Sequence, residues 1–282
     1  RTSHSAERPD MLRIHYIKHP WHGPDFWTGM LFIEGPETHF LVDTAVKEAV
    51  DTTIAAFLKE RNIPWDSISK IINTHSHSDH VEGNPRLREL TGAEFSIHRN
   101  GAEGFRAISG FSPDRELEDG CVLEQDGISV RIIHTPGHSA DSVCIFEPET
   151  GTLFTGDAVQ AQGSPNIGLA LYADPEAYCD SMRKLRRLCE TDNVQRLILG
   201  HPERPCRGEL SGKREITAFL ELSERTAEEY CRVTDDFLRE NPEGGHEQLR
   251  DRLLRLCGGI SAPAWPELSY NTAAAHLKYA RR

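Results

Sequence analysis

Long apolar runs are missing from this chain of 282 residues. No stretch approaches the roughly 18 apolar residues that a membrane-spanning helix needs, so no membrane partner is expected. Arg1–Asp10 lack an apolar core segment and do not read as a secretory signal. Residues 1–11 read instead as a flexible N-terminal tail, and a processed precursor would look the same. Paired cysteines are missing too. The seven cysteines, at 121, 144, 179, 189, 206, 231 and 257, form no CxxC pair and no even framework. That scatter argues for reduced thiols in a cytoplasmic protein. Positive charge is in deficit: 32 Lys and Arg against 44 Asp and Glu leave a net charge of −12. The deficit argues against a broad nucleic-acid footprint but does not exclude a small anionic substrate. Internal repeats and low-complexity tracts are absent. What is present is 38% hydrophobic and 27% charged residues. This is the balance of a globular protein long enough to bury a core without disulfide staples.

Strand and helix signals alternate up to about residue 206. Met30–Ile33 and Phe40–Val42 read as strands around the Gly35-Pro36 turn, and Val46–Glu60 has helical spacing. Ile71-Ile72 is a short buried strand, Gly83–Leu90 a helix and Glu94–Ile97 a strand. After a loop rich in Gly, Asp and Glu, Ile128, Val130 and Ile132 alternate as a half-buried strand. Pro148–Gly151 turns a hairpin between Val143–Phe146 and Leu153–Thr155. A helix from Pro175 to about Leu188 and a strand Arg196–Leu199 follow. After Pro205 the texture becomes helical, with apolar spacing from Ile216 to Phe237, then Leu249–Leu256, then Ala273–Tyr279. The expected division is a tail (1–11), a catalytic domain (12–206) and a helical C-terminal extension (207–282).

The chemistry concentrates where strands end. Thr74-His75-Ser76-His77-Ser78-Asp79-His80 follows an apolar strand. His75 and His77, two apart on an extended or turning segment, can point into one cleft. Asp79 and His80 can face an adjacent point. Imidazole nitrogens and carboxylate oxygens are what zinc and similar ions bind. A lone histidine is usually a satisfied core or surface residue, but three with an aspartate in six positions are not ordinary. His138 in Thr135-Pro136-Gly137-His138, Asp157 in Thr155-Gly156-Asp157 and His201 in Leu199-Gly200-His201 each stand at a strand end beside a glycine. Each is weak alone; in this order behind the His-rich segment they are jointly specific.

HSHSDH, TPGHS, FTGD and LGH, in that order, resemble the metallo-β-lactamase-fold hydrolases, over roughly residues 12–206. The resemblance implies an α/β fold, the αββα sandwich, with metals at one edge between two sheets. Carried over position by position, it implies that His75, His77 and His138 bind a first metal. Asp79, His80 and His201 would bind a second, and Asp157 would bridge both. The implied cofactors are two divalent ions, zinc first, with iron or manganese as alternatives. One branch of true β-lactamases has a cysteine among the second-metal ligands; here Asp79 and His80 both stand in the motif, so nothing supports a penicillin-type specificity. A water shared by two Lewis-acidic ions would lose a proton near neutral pH, and Asp79 could orient it and relay its proton to the leaving group.

Weaker positions have two readings each. Asp43 resembles a carboxylate that supports the ligand loop, and reads equally as a helix N-cap. Tyr172 corresponds to a tyrosine that can act as an oxyanion donor in related lactonases and thioesterases, against plain packing over the next helix. His98 and His134 lie outside the ligand pattern and read as structural. Arg183, Lys184, Arg186 and Arg187 read as a solvated helix face rather than a phosphate patch. Trp21, His22, Phe26 and Trp27 either overhang the cleft or pack. Lys278, Arg281 and Arg282 are too terminal and too generic to assign the glutathione thioesterase subgroup. The expected function is binuclear metal-dependent hydrolysis of an ester, thioester, lactone or similar activated carbonyl in a small metabolite, with the C-terminal helices roofing the cleft. A ribonuclease or phosphodiesterase of the same fold is the alternative, and a homo-oligomer is left open.

Overall fold

A computed structural model describes residues 12–23, 25–256 and 265–282. The expected tail and Cys257 lie outside the described residues. The first sheet takes six strands in sequence order: β1 (Arg13–Pro20), β2 (Trp27–Glu34), β3 (His39–Val42), β4 (Ile68–Asn73), β5 (Glu94–His98) and β6 (Arg115–Leu117). β1, β2 and β3 pair antiparallel, and β3 to β6 run parallel. The second sheet is β7 (Val122–Gln125), β8 (Ile128–His134), β9 (Val143–Glu147), β10 (Thr152–Phe154), β11 (Arg196–Ile198) and β12 (Glu209–Ser211). β7 to β10 are antiparallel neighbours, β10 and β11 are parallel, and β12 closes the edge antiparallel.

Period-two alternation sets the layers. On β2, Leu31 and Ile33 join Phe40, Val42 and Ile72 against Val130, Ile132, Val143, Ile145 and Phe154 of the facing sheet. Met30 and Phe32 point the other way, onto Val50, Ile54 and Leu58. Those three lie on a π-helical turn (Val50–Ile54) and on α1 (Ala55–Arg61). The same outer layer holds α2 (Ser78–Val81), α3 (Asn84–Leu90) and α4 (Ala102–Ser109). Over the second sheet, α5 (Pro175–Thr191), α6 (Lys213–Glu240), α7 (His246–Leu256) and α8 (Pro266–Ala280) share one apolar cluster with Ile133, Phe146, Leu153 and Leu197. Burying each large apolar side chain contributes about 1.5–3 kcal/mol. The three apolar layers therefore hold the sandwich more than its three-residue strands do. This is the αββα architecture, with the helical part after β12 packed into the outer layer of the second sheet.

The α5 cations join helices. Arg183 Nε donates to Glu224 at 2.6 Å and Arg186 Nη1 to the same carboxylate at 2.9 Å, while Lys184 reaches Asp119 at 2.7 Å. These three are engaged by acids from neighbouring elements, and Arg187 is exposed. His98 and His134 stack at 4.0 Å, away from the ligand set, as a structural pair. The six described cysteines are free thiols. No helix among the described residues is long and apolar enough to cross a membrane.

Candidate metal centre

Strand direction assembles the site. β8, β10 and β11 point the same way in the second sheet, so the residues after them emerge at one edge. The segment after β4 meets that edge from the first sheet. Val143 N donates to Thr74 O at 2.9 Å, and Ser76 N donates to the Asp141 carboxylate at 2.8 Å. His77 is the N-cap of α2, which carries Asp79 and His80. Two glycines are required by space. Gly156 has φ +48, and a Cβ there would stand 2.5 Å from Thr74 Oγ1; a Cβ on Gly200 would collide with the Asp157 carboxylate.

All seven residues expected as ligands converge. His75 Nε2 and His77 Nδ1 are 3.0 Å apart, and His77 Nδ1 and His138 Nε2 are 2.9 Å apart. His201 Nε2 lies 3.0 Å from Asp79 Oδ2, and His80 Nε2 lies 3.6 Å from that same oxygen. Asp157 stands between the groups, 3.6 Å from His138 Nε2 and 3.4 Å from both His80 Nε2 and His201 Nε2.

The outward nitrogens fix the inward ones. His138 Nδ1 donates to Leu171 O at 2.7 Å, and His201 Nδ1 donates to Trp27 O at 2.8 Å; a carbonyl can only accept. His80 Nδ1 donates to Asp43 Oδ2 at 2.8 Å. Thr74 gives its hydroxyl proton to Asp43 at 2.8 Å, so that hydroxyl accepts from His75 Nδ1 at 3.1 Å. With the outward nitrogens acting as donors, the inward nitrogens of His75, His80, His138 and His201 face one another and two carboxylates. Among the described residues, His80 Nε2 and Asp157 Oδ1 are buried without any hydrogen-bond partner. Such an arrangement is unfavourable for bare protein and fits divalent ions of the zinc type, which take N and O donors and are supported by this kind of outer hydrogen bond.

The electrostatics agree. Burial disfavours charge on His80 and His201, yet Asp157 and Asp79 outweigh it and hold both well above the ordinary histidine range. Burial holds His75 well below that range and takes His77 down to about 4. The carboxylates thus demand positive charge at the Asp79–His80–His201 end, while burial disfavours it on His75 and His77.

Asp43 belongs to this support. It is fully buried, has φ 61, and accepts from Thr74 N at 2.7 Å besides Thr74 Oγ1 and His80 Nδ1. Its carboxylate holds the ligand loop and does not cap a helix. Tyr172 is a cavity-wall residue whose hydroxyl bonds His276 Nε2 on α8 at 2.9 Å and whose ring stacks on Tyr178 of α5 at 4.4 Å, the contacts of a tyrosine packed over the next helix.

A cavity of about 690 Å³ opens over the cluster. α8 forms one wall with Leu268, Asn271, Thr272, Ala275 and Lys278, spaced three and four apart on one helical face. Trp21 and Phe26 meet Trp265 at 5.9 and 5.4 Å between ring centres, and Phe26 stacks on His201 at 5.0 Å. Trp27 turns away, with Nε1 on Tyr16 Oη at 2.9 Å. Of the C-terminal cations, Arg281 donates to Gly244 O and Arg282 approaches Glu176, leaving Lys278 in the cavity wall. Sequence reasoning missed Trp265, Gln160, Asp141 and Glu203. Asp141, three positions after His138, and Glu203, two after His201, carried only the weak signal of nearness to a ligand. Burial pushes the Glu203 carboxyl well above the usual glutamate range.

The family model of the metallo-beta-lactamase superfamily matches residues 30–201. This chain belongs to that superfamily. A metallo-beta-lactamase family protein from Thermus thermophilus shares the fold at TM-score 0.72 and 21% identity, covering 95% of this chain and 93% of its own. Among curated proteins, an atrochrysone carboxyl ACP thioesterase of Paecilomyces divaricatus is 29% identical over 226 residues, 77% of this chain and 64% of that protein. A hydroxyacylglutathione hydrolase of Maricaulis maris is 34% identical over 153 residues, 54% and 57% of the two chains. The chain spans about half to two-thirds of the length of such relatives.

Proposed function

We propose that this chain is a binuclear metal-dependent hydrolase of a small thioester or a similarly activated carbonyl compound. The observation that carries the reading is Asp157 shared between two donor sets on the floor of a confined, largely apolar cavity. His75, His77 and His138 would hold one ion, Asp79, His80 and His201 the other, and Asp157 both. Zinc is the first choice for this donor set, with iron or manganese as alternatives. Lewis-acid polarisation of a carbonyl and acidification of a water are what the pair supplies when bound.

The chain's own residues do the rest. Asp79 reaches His201 through one carboxylate oxygen, which leaves the other to hold a proton and pass it to the departing atom. The Trp21, Phe26 and Trp265 rings exclude water from the His201 side and favour an apolar acyl group. The relatives named as an acyl carrier protein thioesterase and a hydroxyacylglutathione hydrolase support a thioester over other carbonyl compounds. A cytoplasmic location accords with the free thiols. RNA is disfavoured, since Lys278 is the only lysine or arginine in the described cavity wall.

Two measurements test this reading. Elemental analysis of metal-supplemented protein should give two ions per chain; one ion would end the binuclear reading. Small acyl thioesters and single-stranded RNA should then be assayed side by side across increasing salt. Thioester turnover with modest salt dependence for a neutral substrate is expected, with RNA cut slowly or not at all. Efficient RNA cleavage that falls steeply with salt, without thioester turnover, would replace the reading by the phosphodiesterase one.

A further inference from the structure

Glu203 has no role in the ligand set, yet it is a cavity-wall residue and only 3% exposed. It follows His201 by two positions on the loop between β11 and β12. Its Oε2 is buried without a hydrogen-bond partner among the described residues. The neighbouring Arg204 directs its guanidinium to the carbonyls of Gly163, Gln162 and Gly168. Two other buried polar side chains of the wall, Gln160 and Thr272, are engaged. Gln160 donates to Asp157 O and accepts from Leu171 N, and Thr272 donates to Ala170 O. A buried carboxyl oxygen without a partner is destabilising, and such a group persists where a ligand supplies the missing bond.

We propose that Glu203 is a specificity-determining residue that selects substrates whose otherwise apolar acyl group carries a hydroxyl. A hydroxyl both donates and accepts, so it can pair with this carboxyl while the rest of the acyl group lies on the apolar wall. A site built around a buried polar group discriminates strongly, because the substrate lacking the hydroxyl leaves that group unpaired. The proposal rests on the hydrolase reading above.

The test uses the metal-loaded chain and paired N-acetylcysteamine acyl thioesters that differ only in a hydroxyl at carbon 2, 3 or 4. Wild type should favour one hydroxylated member over its deoxy partner by on the order of tenfold or more in kcat/KM. Glu203→Leu should level that pair, mainly by raising KM for the hydroxylated member. Its melting temperature should be no lower than that of wild type, because an unpartnered buried oxygen is gone. Glu203→Gln, which keeps polar atoms in place, should retain part of the preference, and it carries the comparison should the leucine variant not fold. Equal treatment of every pair by wild type overturns the proposal while leaving the hydrolase reading intact. An equal fall in kcat for both members in Glu203→Leu also overturns it, since that marks support of His201. Two bound ions with no thioester turned over overturns the hydrolase reading, and the proposal with it.

Discussion

Asp157→Ala should empty both metal positions and cost more activity than any other single ligand change. The carboxylate touches both donor groups, at 3.6 Å from His138 Nε2 and 3.4 Å from His80 and His201 Nε2. Its removal takes one donor from each set and the negative charge that holds His80 and His201 positive in the bare site. His201→Ala removes a donor only from the Asp79–His80 side and leaves His75, His77 and His138 untouched. Loss of an outer support for a ligand typically costs roughly 10- to 100-fold in affinity or activity. Loss of the shared ligand should exceed that, on the order of 10³-fold or more. Metal content by elemental analysis, read beside the rate, separates the two variants. About zero ions are expected for Asp157→Ala and about one for His201→Ala. Equal loss of a single ion in both would remove Asp157 from the bridging position.

The convergence of the seven residues was legible because strand ends and glycine turns declare themselves in sequence. Ile71-Ile72 running into the His-rich segment, and Gly before Asp157 and His201, are local signals whose geometry the fold then uses. Supports that depend on contacts remote in sequence were less legible. Asp43 reads equally as a cap because nothing local indicates that its carboxylate meets Thr74 and His80, 31 and 37 positions away. Tyr172 keeps two readings in sequence for the same reason: its partner, His276, is 104 positions downstream.

The elements missed outright share a cause in their composition. β1 reads as mixed polar sequence because it is the edge strand of its sheet, with Ile17 alone buried. α4 was lost in a Gly- and acid-rich loop, and its Gly104 weakens any helical reading. Packing requires that glycine, since a Cβ would stand 2.7 Å from Ser76 Oγ in the ligand loop. β6 and β12 are three residues each, too short for any period. α8 begins at Pro266, seven residues before the expected Ala273, because proline suits a helix's first turn although it reads as a breaker. That extra length carries the cavity-facing Leu268, Asn271 and Thr272.

Asp43→Ala should unfold the support of the site rather than merely weaken it. Three donors, Thr74 N, Thr74 Oγ1 and His80 Nδ1, would lose their buried acceptor together. Unmet buried groups cost about 1–3 kcal/mol each, and an alanine at φ 61 adds about 1 kcal/mol of backbone strain. Even the lower end of that sum, about 4 kcal/mol, is a large part of the roughly 5–15 kcal/mol that holds a domain folded. The melting temperature should fall by about 10 °C, at roughly 2–4 °C per kcal/mol for a chain of this size class. Asp43→Asn divides the effects. Asparagine tolerates the left-handed conformation and keeps an oxygen for Thr74 N, so the melting temperature should fall much less. Its NH₂ would face the His80 Nδ1 proton, however, and would no longer fix which nitrogen of His80 points inward. Metal affinity, measured by competition with a chelator, should therefore drop about 10- to 100-fold in Asp43→Asn while the fold persists. Wild-type affinity for both ions in that variant would show that Asp43 serves the backbone turn alone and does not orient His80.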